Sequence, residues 1–144
     1  MNQKLNCILL IDDDEPTNFL SNMLLEEANC AHHIQTAESG QNALDYLSKT
    51  AYSGNGKTAL PFPELIFLDI NMPAMNGWEF LEEYKEWNEG RHPNTIIIML
   101  TTSINPDDKV KAENIPLVAA FENKPLTSNM IQRVIKKYFI DRQD

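Results

Sequence analysis

Leu65 to Leu68 form a run of four apolar residues that stops at a carboxylate, Asp69, and is followed by Pro73 and Asn76-Gly77. A short run of this kind marks a strand buried on both faces, as in parallel sheets. The turn residues behind it hold the acid at the strand end. A helix cap or a solvated loop acid would explain a single case. The arrangement recurs, however. Ile8 to Ile11 ends on Asp12-Asp13-Asp14, Thr95 to Leu100 ends on Thr101-Thr102-Ser103, and Leu117 to Phe121 runs toward Lys124-Pro125.

Between these strands the spacing predicts helices. One starts at Glu15, with Pro16 in its first turn and Phe19, Leu20, Met23 and Leu24 recurring on one face. After a weak strand from His33 to Ala37, Ser39 caps a helix with Ala43, Leu44 and Leu47 inward. A loop rich in turn residues is expected between Ser48 and Pro63. Trp78 to Trp87 carries Phe80, Leu81, Tyr84 and Trp87 at helical spacing, an aromatic stripe that reads as core. Asn105-Pro106 starts a helix with a thin apolar face, and Thr127 or Ser128 starts a last one with Ile131, Val134, Ile135 and Tyr138 on one side. Five strands alternating with five helices give an α/β fold with a parallel sheet covered on both faces.

Within the loop, Ala51 to Thr58 fits a permissive phosphate-loop pattern, with Ala51 where the stricter form has Gly. That mechanism needs a strand before and a helix after. Here a helical pattern precedes, and Pro61 and Pro63 oppose a helix behind, so the match is read as coincidental. His32, His33 and His92 are read as surface residues.

The 144 residues suit one domain, expected to span 1–144 with no output domain. A net charge of −9 disfavours binding to nucleic-acid backbones. Cys7 and Cys30 form no C-x-x-C pair and fit a reducing compartment. The apolar stretch Cys7 to Ile11 runs into three aspartates where a signal peptide would have a cleavage site, and no membrane span is present, so a cytoplasmic location is expected.

In a parallel α/β sheet the strand C-termini share one edge, and ligands bind in the crevice outside it. Asp12 to Asp14, Asp69, Thr101 and Lys124 all fall there. Carboxylates crowded together raise one another's pKa unless a cation sits among them. Oxygen ligands without His or Cys favour a hard ion, Mg²⁺ above all. A carboxylate is then able to act as nucleophile in phosphoryl transfer, with lysine and metal offsetting charge and a hydroxyl bonding the transferred group. Asp69, central and alone, is the best nucleophile.

The acids closing the first strand, Asp69 with Asn71-Met72-Pro73 and Asn76-Gly77, Thr101, and Lys124-Pro125 together resemble the receiver domain of two-component response regulators, over nearly the whole chain. The resemblance implies a doubly wound, flavodoxin-like sheet of order 2-1-3-4-5. It implies that Asp69 accepts a phosphoryl group from a phosphohistidine of a sensor histidine kinase or histidine phosphotransfer protein. Asp13, Asp69 and the Asn71 carbonyl would ligate Mg²⁺, with Asp12 acting largely through water and Asp14 capping a helix. Lys124 and Thr101 would bind the phosphoryl oxygens. Phe121, at the aromatic switch position, would turn inward as Thr101 moves, remodelling a face for a downstream protein target. The chain would not be a conventional enzyme, because it catalyses only its own aspartyl phosphorylation and dephosphorylation.

Some positions depart from the pattern. Asn114 to Ala120 lacks the Gly usual before the last strand, and Thr102 is larger than the smallest residues found after the switch threonine. Asn71 and Ser103 are expected to influence the lifetime of the phosphorylated form. The competing reading is a phosphorylation-independent interaction module of the same fold, which the intact acids, Thr101 and Lys124 oppose. A metal-dependent phosphatase with an aspartyl nucleophile would want an acid where Asn71 stands, and a flavin-binding protein would want a Ser/Thr-rich loop where the three acids stand.

Overall fold

The computed structural model describes residues 4–51, 60–90 and 94–139. Five strands, β1 (Leu5–Ile11), β2 (Ala31–Ala37), β3 (Leu65–Leu68), β4 (Ile96–Thr101) and β5 (Val118–Asn123), form one parallel sheet of order β2-β1-β3-β4-β5. Helices α1 (Glu15–Ala28), α2 (Gly40–Ala51), α3 (Gly77–Asn88), α4 (Pro106–Glu113) and α5 (Ser128–Tyr138) connect and follow them. The parallel sheet is the one expected from the alternation, and its order is the doubly wound one that the resemblance implies.

The pleat sends alternate strand residues to opposite faces. Cys7, Leu9, Ile11, Ile66, Leu68, Ile97 and Met99 pack on one side with Ala43 and Leu47 of α2, Phe80, Leu81 and Tyr84 of α3, and Ala112 of α4. Ile8, Leu10, Leu65, Phe67, Ile98 and Leu100 pack on the other with Leu25 of α1 and Met130, Ile131 and Val134 of α5. The predicted aromatic stripe of α3 is core, and Trp87 stacks on Phe62 with ring centroids 6.0 Å apart.

The helix starts follow local chemistry. Asp14 caps α1 by accepting from the Thr17 amide at 3.1 Å, and Asn76 and Glu79 form a reciprocal capping box at α3. Asn105 caps α4 ahead of Pro106, and Thr127 caps α5. Between Ile97 and Ile98 the β4–β5 register skips Ala119, so the segment lacking the usual Gly enters the sheet through a bulge.

Three expectations need correction or limits. The Phe19, Leu20 and Met23 stripe is not the buried side of α1: these residues are 63%, 59% and 42% exposed, while Asn18, Ser21 and Leu25 are buried. Hydrophobic spacing identified the helix but not which side faces the sheet. The loop expected from Ser48 starts later, because α2 continues through Ala51. Of the stretch resembling a phosphate loop, residues 52–58 lie outside the described residues, as does His92. His32 is exposed, whereas His33 is half-buried and its Nε2 lies 3.1 Å from Gln35 Oε1.

Candidate functional site

The site forms where β1, β3, β4 and β5 end. Each strand terminus is fixed by its neighbour: the Asp12 amide donates to the Ala37 carbonyl at 3.1 Å, the Asp69 amide to Ile11 at 3.0 Å, and the Lys124 amide to Thr101 at 2.8 Å. Beyond Asp69 the chain folds back, and the Gly77 amide donates to the Ile70 carbonyl at 2.7 Å. The Lys124–Pro125 peptide bond is cis.

This scaffold gathers Asp12, Asp13 and Asp69 so that one carboxylate oxygen from each lies within 4.8 Å of the others. Asp12 and Asp69 are buried and Asp13 is exposed. The Lys124 ammonium pairs with Asp12 and stands 3.3 Å from Asp69 Oδ1. Burial pushes the Asp69 pKa up, the charge of Asp12 adds to the effect, and Lys124 only partly opposes it. For Lys124, burial acts to lower the pKa, but its hydrogen bond to Asp12 and the charges of Asp12 and Asp69 outweigh burial and raise it.

Thr101 is fully buried at the end of β4. Met99 and Thr101 share a sheet face, and Phe121 is the register partner of Met99, so Phe121 lies on the Thr101 face one pleat back from Thr101, half-buried against the core. Asn71 is exposed in the loop after Asp69. Asp14 is the α1 cap, as expected.

Periodicity did not show Asn18, whose buried side-chain amide donates to the Asp12 carbonyl at 2.8 Å. A polar residue inside a helix carries no pattern that marks it as support for a neighbouring loop. Ser103, expected to influence the lifetime of the phosphorylated form, lies in the loop after β4, part-buried beside Thr101. Its hydroxyl donates to Asp108 Oδ2 at 2.5 Å, which ties the β4–α4 loop to α4.

The acidic cluster fits a hard divalent cation. Its donors are all carboxylate oxygens, two of them buried, and the charge they concentrate is only partly offset by one lysine. Asp12, Asp13 and Asp69 are the residues that would hold Mg²⁺.

The sequence pattern described as the response regulator receiver domain matches residues 8–136. The chain belongs to this family. Among similar solved structures, a two-component response regulator from Cytophaga hutchinsonii superposes with a TM-score of 0.82 at 32% identity, covering 94% of this chain and 98% of that one. The chemotaxis protein CheY of Halobacterium salinarum is 33% identical over 105 residues, 72% of each chain. A probable methanogenesis regulatory protein of Methanothrix harundinacea is 29% identical over 136 residues, 92% of this chain and 83% of that protein. In two other relatives the matched part falls to 66% and 20% of their length. The chain is thus a receiver domain of two-component signalling. Among the described residues no helix is long and apolar enough to cross a membrane.

Proposed function

We propose that this receiver accepts a phosphoryl group on Asp69 from the phosphohistidine of a sensor kinase or histidine phosphotransfer protein, in a Mg²⁺-dependent step. The observation that carries the reading is the position of Lys124, paired with Asp12 and 3.3 Å from Asp69. An ammonium so placed can turn to the oxygens of a group arriving on Asp69. An Asp69 carboxylate oxygen attacks phosphorus, the P–N bond to the imidazole breaks, and its electron pair stays on the ring nitrogen. Asp13, Asp69 and the Asn71 carbonyl would hold Mg²⁺, with Asp12 acting largely through water, and the bound ion would supply positive charge for the transferred group. Lys124 offsets further charge, and the Thr101 hydroxyl donates to a phosphoryl oxygen. Phe121, on the same sheet face as Thr101, turns inward as Thr101 moves toward the phosphoryl group and changes the α4–β5–α5 surface presented to a downstream protein.

The exposed stripe Pro16, Phe19, Leu20 and Met23 on α1 starts close to the three acids, and α1 carries no basic residue. It supports docking of the phosphodonor there, through an apolar helical surface rimmed with basic residues.

Intact mass after incubation with Mg²⁺ and acetyl phosphate tests the reading. A gain of one phosphoryl group, lost in Asp69→Asn or with chelator, is expected. No gain despite Mg²⁺ binding would favour an interaction module that works without phosphate.

A further inference from the structure

We propose that Ser103 and Asp108 are positioning residues that hold the Thr101 hydroxyl for the phosphoryl group and couple it to the first turn of α4. This rests on Asp69 being the phosphoacceptor. Ser103 joins three parts of the site. Its amide donates to Thr101 Oγ1 at 3.1 Å, and its carbonyl accepts from the side-chain amide of Asn123, next to Lys124, at 3.3 Å. Its hydroxyl donates to Asp108 Oδ2 at 2.5 Å and accepts from the Asn105 amide at 3.2 Å.

A hydroxyl offers one proton and two acceptor sites. The Ser103 amide fills one acceptor site of Thr101, which turns the Thr101 O–H toward a different acceptor. A phosphoryl oxygen on Asp69 meets that need. The Ser103 hydroxyl spends its proton on the Asp108 carboxylate, a charge-assisted bond that fixes the loop orientation.

Helix α4 has little else to hold it. Ala112 is its one buried residue among those described, Lys111 Nζ lies 4.6 Å from the centre of the Trp78 ring, and Val110 and the neighbouring Ile104 are exposed. With so little apolar anchorage, the Ser103–Asp108 bond decides how firmly the first turn of α4 is tied to Thr101. The coupling is reciprocal: a partner that grips α4 alters Thr101, and a phosphoryl group that engages Thr101 alters α4.

The test measures the rate of Asp69 labelling by acetyl phosphate with Mg²⁺ and, separately, hydrogen exchange of the Ser103 amide without phosphate. S103A and D108A should each slow labelling about tenfold, and the double variant should be no slower than S103A, which already removes the shared bond along with the Asn105 contact. D108N should restore the rate, since its side-chain carbonyl still accepts from Ser103. D107A, which removes another first-turn acid of α4, should label like the wild type and thereby separate the bond from helix-terminus charge. Labelling of D108A at the wild-type rate, or equal slowing by D107A, would overturn the proposal. If the wild type takes no phosphoryl group, the receiver chemistry fails, and exchange alone decides the tie. Faster Ser103 exchange in D108A but not in D107A upholds it, and unchanged exchange in both rejects it.

Discussion

Gly77 approaches Asp69 so closely that a methyl group on its Cα would stand 2.5 Å from the Asp69 carbonyl oxygen and 2.9 Å from Ile70 Cα. Both obstacles are backbone, so no side chain can swing aside. The glycine lets α3 begin directly against the loop that carries the acceptor acid. Gly77→Ala should cost about 1–3 kcal/mol through overpacking. In a domain of this size each kcal/mol lowers Tm by about 2–4 °C. Calorimetry checks the stability, and acetyl phosphate labelling of the variant should slow because Asp69 is displaced. A variant with wild-type Tm and labelling would show that the loop yields without cost.

In the metal-free protein, burial of Asp69 works against its charged form. Its native pKa is raised, with burial the largest cause and Asp12 next, so ionising it is harder in the folded than in the unfolded chain. Stability from this group is present at low pH and is lost as pH rises from the ordinary carboxylate range through the raised native value. At pH 7 in chelator, Asp69→Asn should therefore melt higher than the wild type. Adding Mg²⁺ should raise the wild-type Tm more than that of the variant. A lower Tm for Asp69→Asn in chelator would mean that Lys124 more than offsets the burial of the charge.

The parts of this site that were legible in the sequence are those that end a strand. Asp12, Asp69 and Thr101 each follow an apolar run directly and Lys124 stands three residues past one, and parallel topology alone brings such ends to one edge. The supports were not legible. Asn18 and Asp108 lie in helices, and their roles depend on which side of the helix meets the loop, a matter of rotation that hydrophobic spacing does not fix when apolar residues also face solvent. Helix α1 shows why: it buries Asn18 and Ser21 and exposes Phe19 and Leu20. On α1 the apolar stripe faces solvent, so its spacing marks the helix and misassigns the side that meets the sheet.

Cys7 gives a handle on the opposite face of the sheet. It is fully buried, its sulfur lies 3.6 Å from the Tyr46 hydroxyl, and that hydroxyl donates to the Pro61 carbonyl at 2.7 Å. Burial pushes the Cys7 thiol up to about 11 from 9.0, so the native state keeps a proton that the unfolded chain gives up. The stability this provides is intact below pH 9 and is lost as pH rises from about 9 through 11. Urea midpoints for the wild type should fall over that window more steeply than for Cys7→Ala. Iodoacetamide at pH 8 should label half-buried Cys30 before Cys7. Preferential labelling of Cys7 would contradict its packing.

The α1 stripe provides the means to separate donor recognition from chemistry. Phe19 and Leu20 are exposed, so Phe19→Glu and Leu20→Glu should change stability by no more than about 0.5 kcal/mol. Both add negative charge to a helix without basic residues, next to an acidic site, and both remove apolar contact area. Transfer from a phosphorylated kinase that labels the wild type should fall about 30-fold for either variant, equivalent to ~2 kcal/mol of lost docking energy. Labelling by acetyl phosphate, which is too small to touch the stripe, should stay at the wild-type rate. Equal loss with both donors would place the defect in the Asp69 site. Unchanged transfer from the kinase would move the docking surface off α1.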